Sequence, residues 1–150
     1  MPPILTRRRT LLAAGAALVL GPALPGLAHA SAAARDRLMA FTGGAEPEEG
    51  GIDLDLPDTA ENASGVRLEL RIDSPMTEDD HIRRVIVLAE ANRIPEVALF
   101  HLSPLSGEAR LATRIRLAAP QTVTVVAETS TGRFYSAARA VELADGGCVM

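Results

Sequence analysis

From Ile52 onward, apolar and polar residues alternate with a period of two. Ile52, Leu54 and Leu56 are separated by Asp53 and Asp55. Val66, Leu68, Leu70 and Ile72 are interleaved with Arg67, Glu69 and Arg71. This pattern predicts strands with one face in a core and the other in water. Residues 82–89 (IRRVIVLA) and 97–102 (VALFHL) are more continuously apolar, as expected of strands in the middle of a sheet. Leu111, Thr113, Ile115 and Leu117 alternate again with Ala112, Arg114 and Arg116. Residues 122–128 (TVTVVAE) are β-branched and apolar, and residues 133–143 (RFYSAARAVEL) close the series.

Turn chemistry separates these runs. Asn62-Ala63-Ser64-Gly65, Asp73-Ser74-Pro75, Asn92-Arg93-Ile94-Pro95, Ser103-Pro104, Ser106-Gly107 and Ala119-Pro120 are breaks of this kind, and Thr131-Gly132 predicts a tight hairpin. Seven short strands at this spacing predict an all-β fold, an immunoglobulin-like antiparallel β-sandwich. The cysteine pair and core tryptophan of antibody domains are missing, so the architecture alone is implied. A helix over 77–91 is the alternative, because Thr77 followed by acids resembles an N-cap. Strand is the expectation for 82–90.

Before the strands, residues 33–42 (AARDRLMAFT) predict a short helix with Leu38, Met39 and Phe41 on its apolar side. Gly43-Gly44 ends it, and residues 43–51 form a turn-rich acidic linker. The first 30 residues are of another kind. Arg7-Arg8-Arg9 precedes an apolar run from Leu11 to Leu20, and Ala28-His29-Ala30 offers a small-x-small cleavage site. This is a secretory signal, with a run too short to span a bilayer. Arg8-Arg9-Thr10-Leu11-Leu12 resembles a twin-arginine motif, with ordinary Sec export as the alternative. The expected division is therefore 1–30 signal peptide, 31–51 helix and linker, 52–143 sandwich, and 144–150 a flexible carboxyl-terminal arm. The expected location is the periplasm.

Charge narrows the function. After the leader, twelve arginines face 19 acids, and no lysine is present, giving a net charge of −7. That argues against a nucleic-acid or anionic-membrane binder. A single cysteine excludes an internal disulfide framework and a cysteine-based zinc cluster. His81 and His101, the two histidines past the leader, are expected as a surface and a strand residue. Glu78, Asp79 and Asp80 are expected as a solvated acidic turn, and Met76 as a core or interface residue. Arg110, Arg114 and Arg116 share one strand face, which suits an acidic partner, an anionic cargo or plain solvent. No metal site or cofactor is expected.

The chemistry concentrates at the end, Asp145-Gly146-Gly147-Cys148-Val149-Met150. The only thiol stands behind two glycines, the residues with the widest backbone freedom. From Leu143 to Cys148 the chain can reach roughly 17 Å. Asp145 and the terminal carboxylate are both negative and disfavour a thiolate. Catalytic cysteines have cationic neighbours instead. Cys148 is thus expected to be a covalent handle for other proteins, with Gly146 and Gly147 as its hinge, and the chain not to be an enzyme. A buried thiol and an intermolecular disulfide are the competing readings. Only two residues follow Cys148, so CaaX lipidation fails on spacing, and its distance from the cleavage site excludes lipoprotein attachment.

Roughly residues 35–150 resemble the SoxY family, the sulfur carriers of the periplasmic thiosulfate-oxidising (Sox) system. The resemblance rests on DSPMTEDDHIRRVIVLAEANRIPEVALFHLSP at 73–104, ATRIRLAAPQTVTVVAETSTGRFYSAARAVEL at 112–143 and the GGC arm. It implies a heterodimer with a SoxZ-like immunoglobulin-like subunit. It also implies a haem-containing enzyme that conjugates thiosulfate to Cys148, a metal-dependent hydrolase that releases sulfate, and a sulfane dehydrogenase as a further partner. The family arm typically ends GGCGG, whereas Val149 and Met150 follow the cysteine here. Two alternatives stay open: a SoxY-like paralogue serving another periplasmic oxidation, such as a quinoprotein dehydrogenase pathway, and a non-carrier assembly module joined by an intermolecular disulfide.

Overall fold

The computed structural model describes residues 31–144. The leader and residues 145–150 lie outside the described residues. Helix α1 (Ala32–Thr42) starts at Ser31, whose Oγ accepts the Ala34 N–H at 3.1 Å, and stops at Gly43, in the left-handed region at φ 65°. Nine strands follow: β1 (Glu48–Glu49), β2 (Ile52–Asp55), β3 (Thr59–Ala60), β4 (Val66–Ile72), β5 (Ile82–Ala89), β6 (Glu96–His101), β7 (Arg110–Ile115), β8 (Gln121–Thr129) and β9 (Phe134–Leu143). They form two sheets, one ordered β1-β9-β8-β5-β6 with β3 also on β9, the other β2-β4-β7. The main strands are antiparallel, and only the two-residue strands β1 and β3 run parallel to β9.

The all-β sandwich expected from the alternation is the one observed, and each of the seven expected strands is present. In β4, Val66, Leu68, Leu70 and Ile72 are buried, and Arg67 and Arg71 between them are exposed. From the larger sheet, Val85, Val87, Val123, Val125, Ala127 and Val141 meet them in one core. A second, smaller core lies on the opposite face of the larger sheet. There Ile86, Leu88 and Val126 pack under Phe41 of α1, with Leu38, Leu99 and Phe134 at the margin. Phe41 and Phe134 meet edge to face at 6.1 Å, and the Arg84 guanidinium lies 4.8 Å from the Phe41 ring centre.

This second core explains why β5 is apolar at successive positions: both its faces are covered. It also corrects the reading of 97–102 as a central strand. Among the described residues β6 pairs with β5 alone and forms an edge of the sheet. Its continuous apolar run reflects a core on one face and α1 on the other. Three further points are local. Met39 is 58 % exposed and not on the packed side of α1, because Ala34, Leu38 and Phe41 define that side at helical spacing. Glu48 and Glu49 in the acidic linker pair with Tyr135 and Ser136 of β9. Thr77 caps a four-residue turn and not a helix, its Oγ1 accepting the Asp80 N–H at 3.1 Å.

Candidate functional site

Cys148, Gly146 and Gly147 lie outside the described residues, but the point at which that segment leaves the domain is well defined. Near its end β9 buries Val141 and packs Leu143 against the main core. β3 lies alongside, with Thr59 opposite Glu142 and Ala60 opposite Leu143. Glu142 donates its N–H to Asp58 O at 2.8 Å, and Ala144 donates to Ala60 O at 3.0 Å. Ala60 is itself buried. Ala144, counted with the arm on sequence grounds, is therefore tied to the body. Covalent geometry places Cys148, four residues further on, no more than about 14 Å from it.

The loops around this root are cross-linked. Pro57 follows β2 and releases the chain into the crossing that carries β3. Asn62 Oδ1 accepts the Ser64 N–H at 3.0 Å in an Asx turn, and Leu117 N–H bonds Ala63 O at 2.8 Å. Asn92 Oδ1 accepts from Ala118 N–H at 2.8 Å and from Gln121 Nε2 at 3.0 Å, while Gln121 Oε1 accepts the Ala91 N–H at 2.8 Å. These bonds join three loops at the end of the sandwich where Ala144 lies.

The two histidines past the leader lie at the other end of the sandwich. Ile82 at the start of β5 pairs with Thr129, whereas Ala89 pairs with Val123, so the two ends of the sandwich are distinct. His81 precedes β5, and His101 pairs with Arg84 near the same end, opposite Ala144. His81 Nδ1 is 3.0 Å from Thr77 O, within its own turn. A groove of about 550 Å³ lined by Arg71, Asp73, Ser74, Gly107 and Glu108 also opens at that end. β4 spans about 20 Å between the two ends. At the root, Arg139 pairs with Asp58 at 3.0 Å, an exposed contact worth at most about 1 kcal/mol. Met76 is buried in the main core at φ 50°. Glu78, Asp79 and Asp80 are exposed, and among the described residues no three His, Cys, Asp or Glu side chains gather as a metal-binding set.

The sequence singled out Arg110, Arg114 and Arg116. The first two lie on β7, and Arg116 falls beyond its end. Register adds what the sequence alone did not reveal: Arg114 lies opposite Arg67, and Arg110 opposite Arg71. Like charges facing each other across a ladder are unfavourable. Glu69 lies between them, hydrogen-bonded to Arg67 and 3.9 Å from Arg110. The Arg67 hydrogen bond, followed by its charge, holds the Glu69 carboxyl below its ordinary pKa. A carboxyl lowered in the folded state stabilises the fold above its unfolded pKa, and that contribution is lost as pH falls through the folded value. Replacing Arg67 by Ala should raise the Glu69 pKa towards its ordinary value and so shrink this contribution. A side-chain NMR titration checks the rise, and an unchanged Glu69 curve contradicts the pairing.

Comparison with known proteins identifies the domain. A family model described as sulfur oxidation protein SoxY matches residues 38–148, a stretch that includes Cys148. The chain belongs to the SoxY family. Its fold matches the sulfur carrier protein SoxY from Chlorobium limicola f thiosulfatophilum, at 27 % identity and a TM-score of 0.60, over 76 % of this chain and 99 % of that one. A superoxide reductase (neelaredoxin) from Ignicoccus hospitalis matches at 9 % identity and a TM-score of 0.56, over 63 % of this chain and 81 % of the other. A putative superoxide reductase from Thermotoga maritima matches at 14 % identity and a TM-score of 0.53, over 70 % and 91 %. These two share the sandwich alone. No curated protein sequence matches the chain significantly. SoxY membership carries a role in sulfur oxidation and, in general terms, partners within the Sox system.

Proposed function

We propose that this SoxY-family chain is a periplasmic carrier, not an enzyme, that holds intermediates of thiosulfate oxidation covalently on Cys148. The observation that carries the reading is the backbone tie at Ala144: a family match extending to Cys148 continues from a point fixed to the domain by β3. Both histidines past the leader lie at the far end of the sandwich, and activation of the thiol is assigned to partner enzymes.

In the proposed cycle a haem enzyme removes two electrons as the Cys148 sulfur bonds to the sulfane sulfur of thiosulfate. The thiol proton leaves, and the product is Cys–S–S–SO3⁻. A metal-dependent hydrolase then adds water across the bond to the sulfone. Sulfate is released, and the persulfide stays on Cys148 for a sulfane dehydrogenase. Gly146 and Gly147 supply the hinge. A SoxZ-like subunit completes the carrier, and a twin-arginine signal exports it.

Intact-mass spectrometry tests this directly. Incubated with the conjugating enzyme and thiosulfate, the chain should gain the mass of one S2O3 unit, removable by reductant. A chain that acquires no sulfur adduct overturns the proposal. Val149-Met150 in place of two glycines favours one rival, a paralogue serving another periplasmic oxidation. A neighbouring cluster of dehydrogenase genes instead of sulfur-oxidation genes would support it.

A further inference from the structure

Among the described residues, three of the four principal sheet edges are guarded against strand addition. The outer edge of β9 carries β1 and β3. β2 presents exposed Asp53 and Asp55, and β7 presents exposed Arg110 and Arg114. Charges of this kind, and short covering strands, discourage pairing with another chain.

β6 is different. Its sequence is Glu-Val-Ala-Leu-Phe-His, with four consecutive apolar residues and no Arg, Lys or Pro. Its one acid, Glu96, is paired with Arg37. Leu102 N–H bonds Arg83 O, and the register continues from Arg84–His101 to Val87–Ala98. In an antiparallel ladder that alternation commits Phe100 and Ala98 to β5, and it turns the N–H and C=O of Leu99 and His101 toward the open side. A bulge near Val87 confines the regular stretch to Ala98–His101. Among the described residues, the two most exposed large apolar side chains flank this edge: Ile94 just before β6, at 71 % exposure, and Leu105 just after it, at 97 %.

We propose that a second copy of this chain adds its own β6 here, antiparallel, about a two-fold axis at Leu99. Backbone groups at Leu99 then meet those of Leu99 in the second copy, and Val97 faces His101. The same register sets Ile94 of each copy beside Pro104-Leu105 of the other, so the exposed residues at both ends cover each other. Glu96 comes opposite Leu102 and Arg93 opposite Leu105, and no like charges meet. One patch thus satisfies itself on both copies, as a closed two-fold dimer requires, and the larger sheet becomes continuous across the pair.

Sedimentation of the chain from Ser31 onward, with Cys148→Ser to remove disulfide dimers, tests the proposal independently of the carrier reading. A concentration-dependent dimer is expected. Ile94→Lys and Leu105→Asp, both at exposed positions, should each weaken it about tenfold or more without changing the circular dichroism. Combined, the two should restore association by pairing across the axis. A chain that stays monomeric, including one whose β6 binds only a different β-sandwich subunit, overturns the proposal. So does a dimer indifferent to both substitutions.

Discussion

Replacing Cys148 with Ser should reduce thiosulfate-dependent sulfate release in a reconstituted system to the level measured with no carrier added. The substitution exchanges one atom of nearly the same size, so packing and charge stay as they were. What disappears is the ability to form and break a bond to sulfur. No second thiol in the chain can take over, because Cys148 is the only cysteine. The circular dichroism and thermal midpoint should match the parent, since the exchange alters neither size nor charge appreciably. An activity retained at half the parental rate would show that the covalent handle lies elsewhere. Wild-type protein alone, without the conjugating enzyme, should also stay unmodified in thiosulfate. Its thiol follows Asp145 by three residues in the sequence, and the described histidines are at the end of the sandwich opposite Ala144.

Strand positions were legible because period-two alternation reports burial directly. In β4 each predicted inward residue is buried, and the reason is simple: one face of that sheet meets the core and the other meets water. The same logic fails for β6. A continuous apolar run reports that both faces are covered, whether by sheets or by a helix, and says nothing about whether both edges are paired. Leu99 lies under the α1 margin while the strand's outer edge stays open, so a central position was a natural but mistaken inference. β1 and β3 left no sequence signal because two residues cannot display a period. Their pairing is dictated by where β9 passes. The facing arginines on β4 and β7 were hidden for a related reason: each strand shows its own alternation, but the register between strands is a tertiary fact. Cys148, the proposed handle, was visible in composition and position, while the backbone tie that precedes it, Ala60 accepting from Ala144, was not.

That anchor sets up the second large effect. Because the backbone is tied at Ala144, three residues separate that tie from Cys148. Two of those three are glycine. Replacing Gly146 and Gly147 together by Pro fixes φ near −65° at both positions and restricts the residue before each. The thiol, its acidic neighbours and the folded domain all persist. A carrier must present one sulfur to successive enzymes, each with its own approach, and a misplacement of about 1 Å can cost about 10²-fold in rate. Turnover of the complete cycle should therefore fall by about two orders of magnitude, while titration with a small thiol reagent still counts one accessible cysteine per chain. Replacing the same glycines by Ala, which narrows the backbone without locking it, should cost distinctly less. If the proline variant turns over at the parental rate, the tether has no part in presenting the cargo. A reducible dimer with unchanged function in that variant would instead favour the assembly module joined through Cys148.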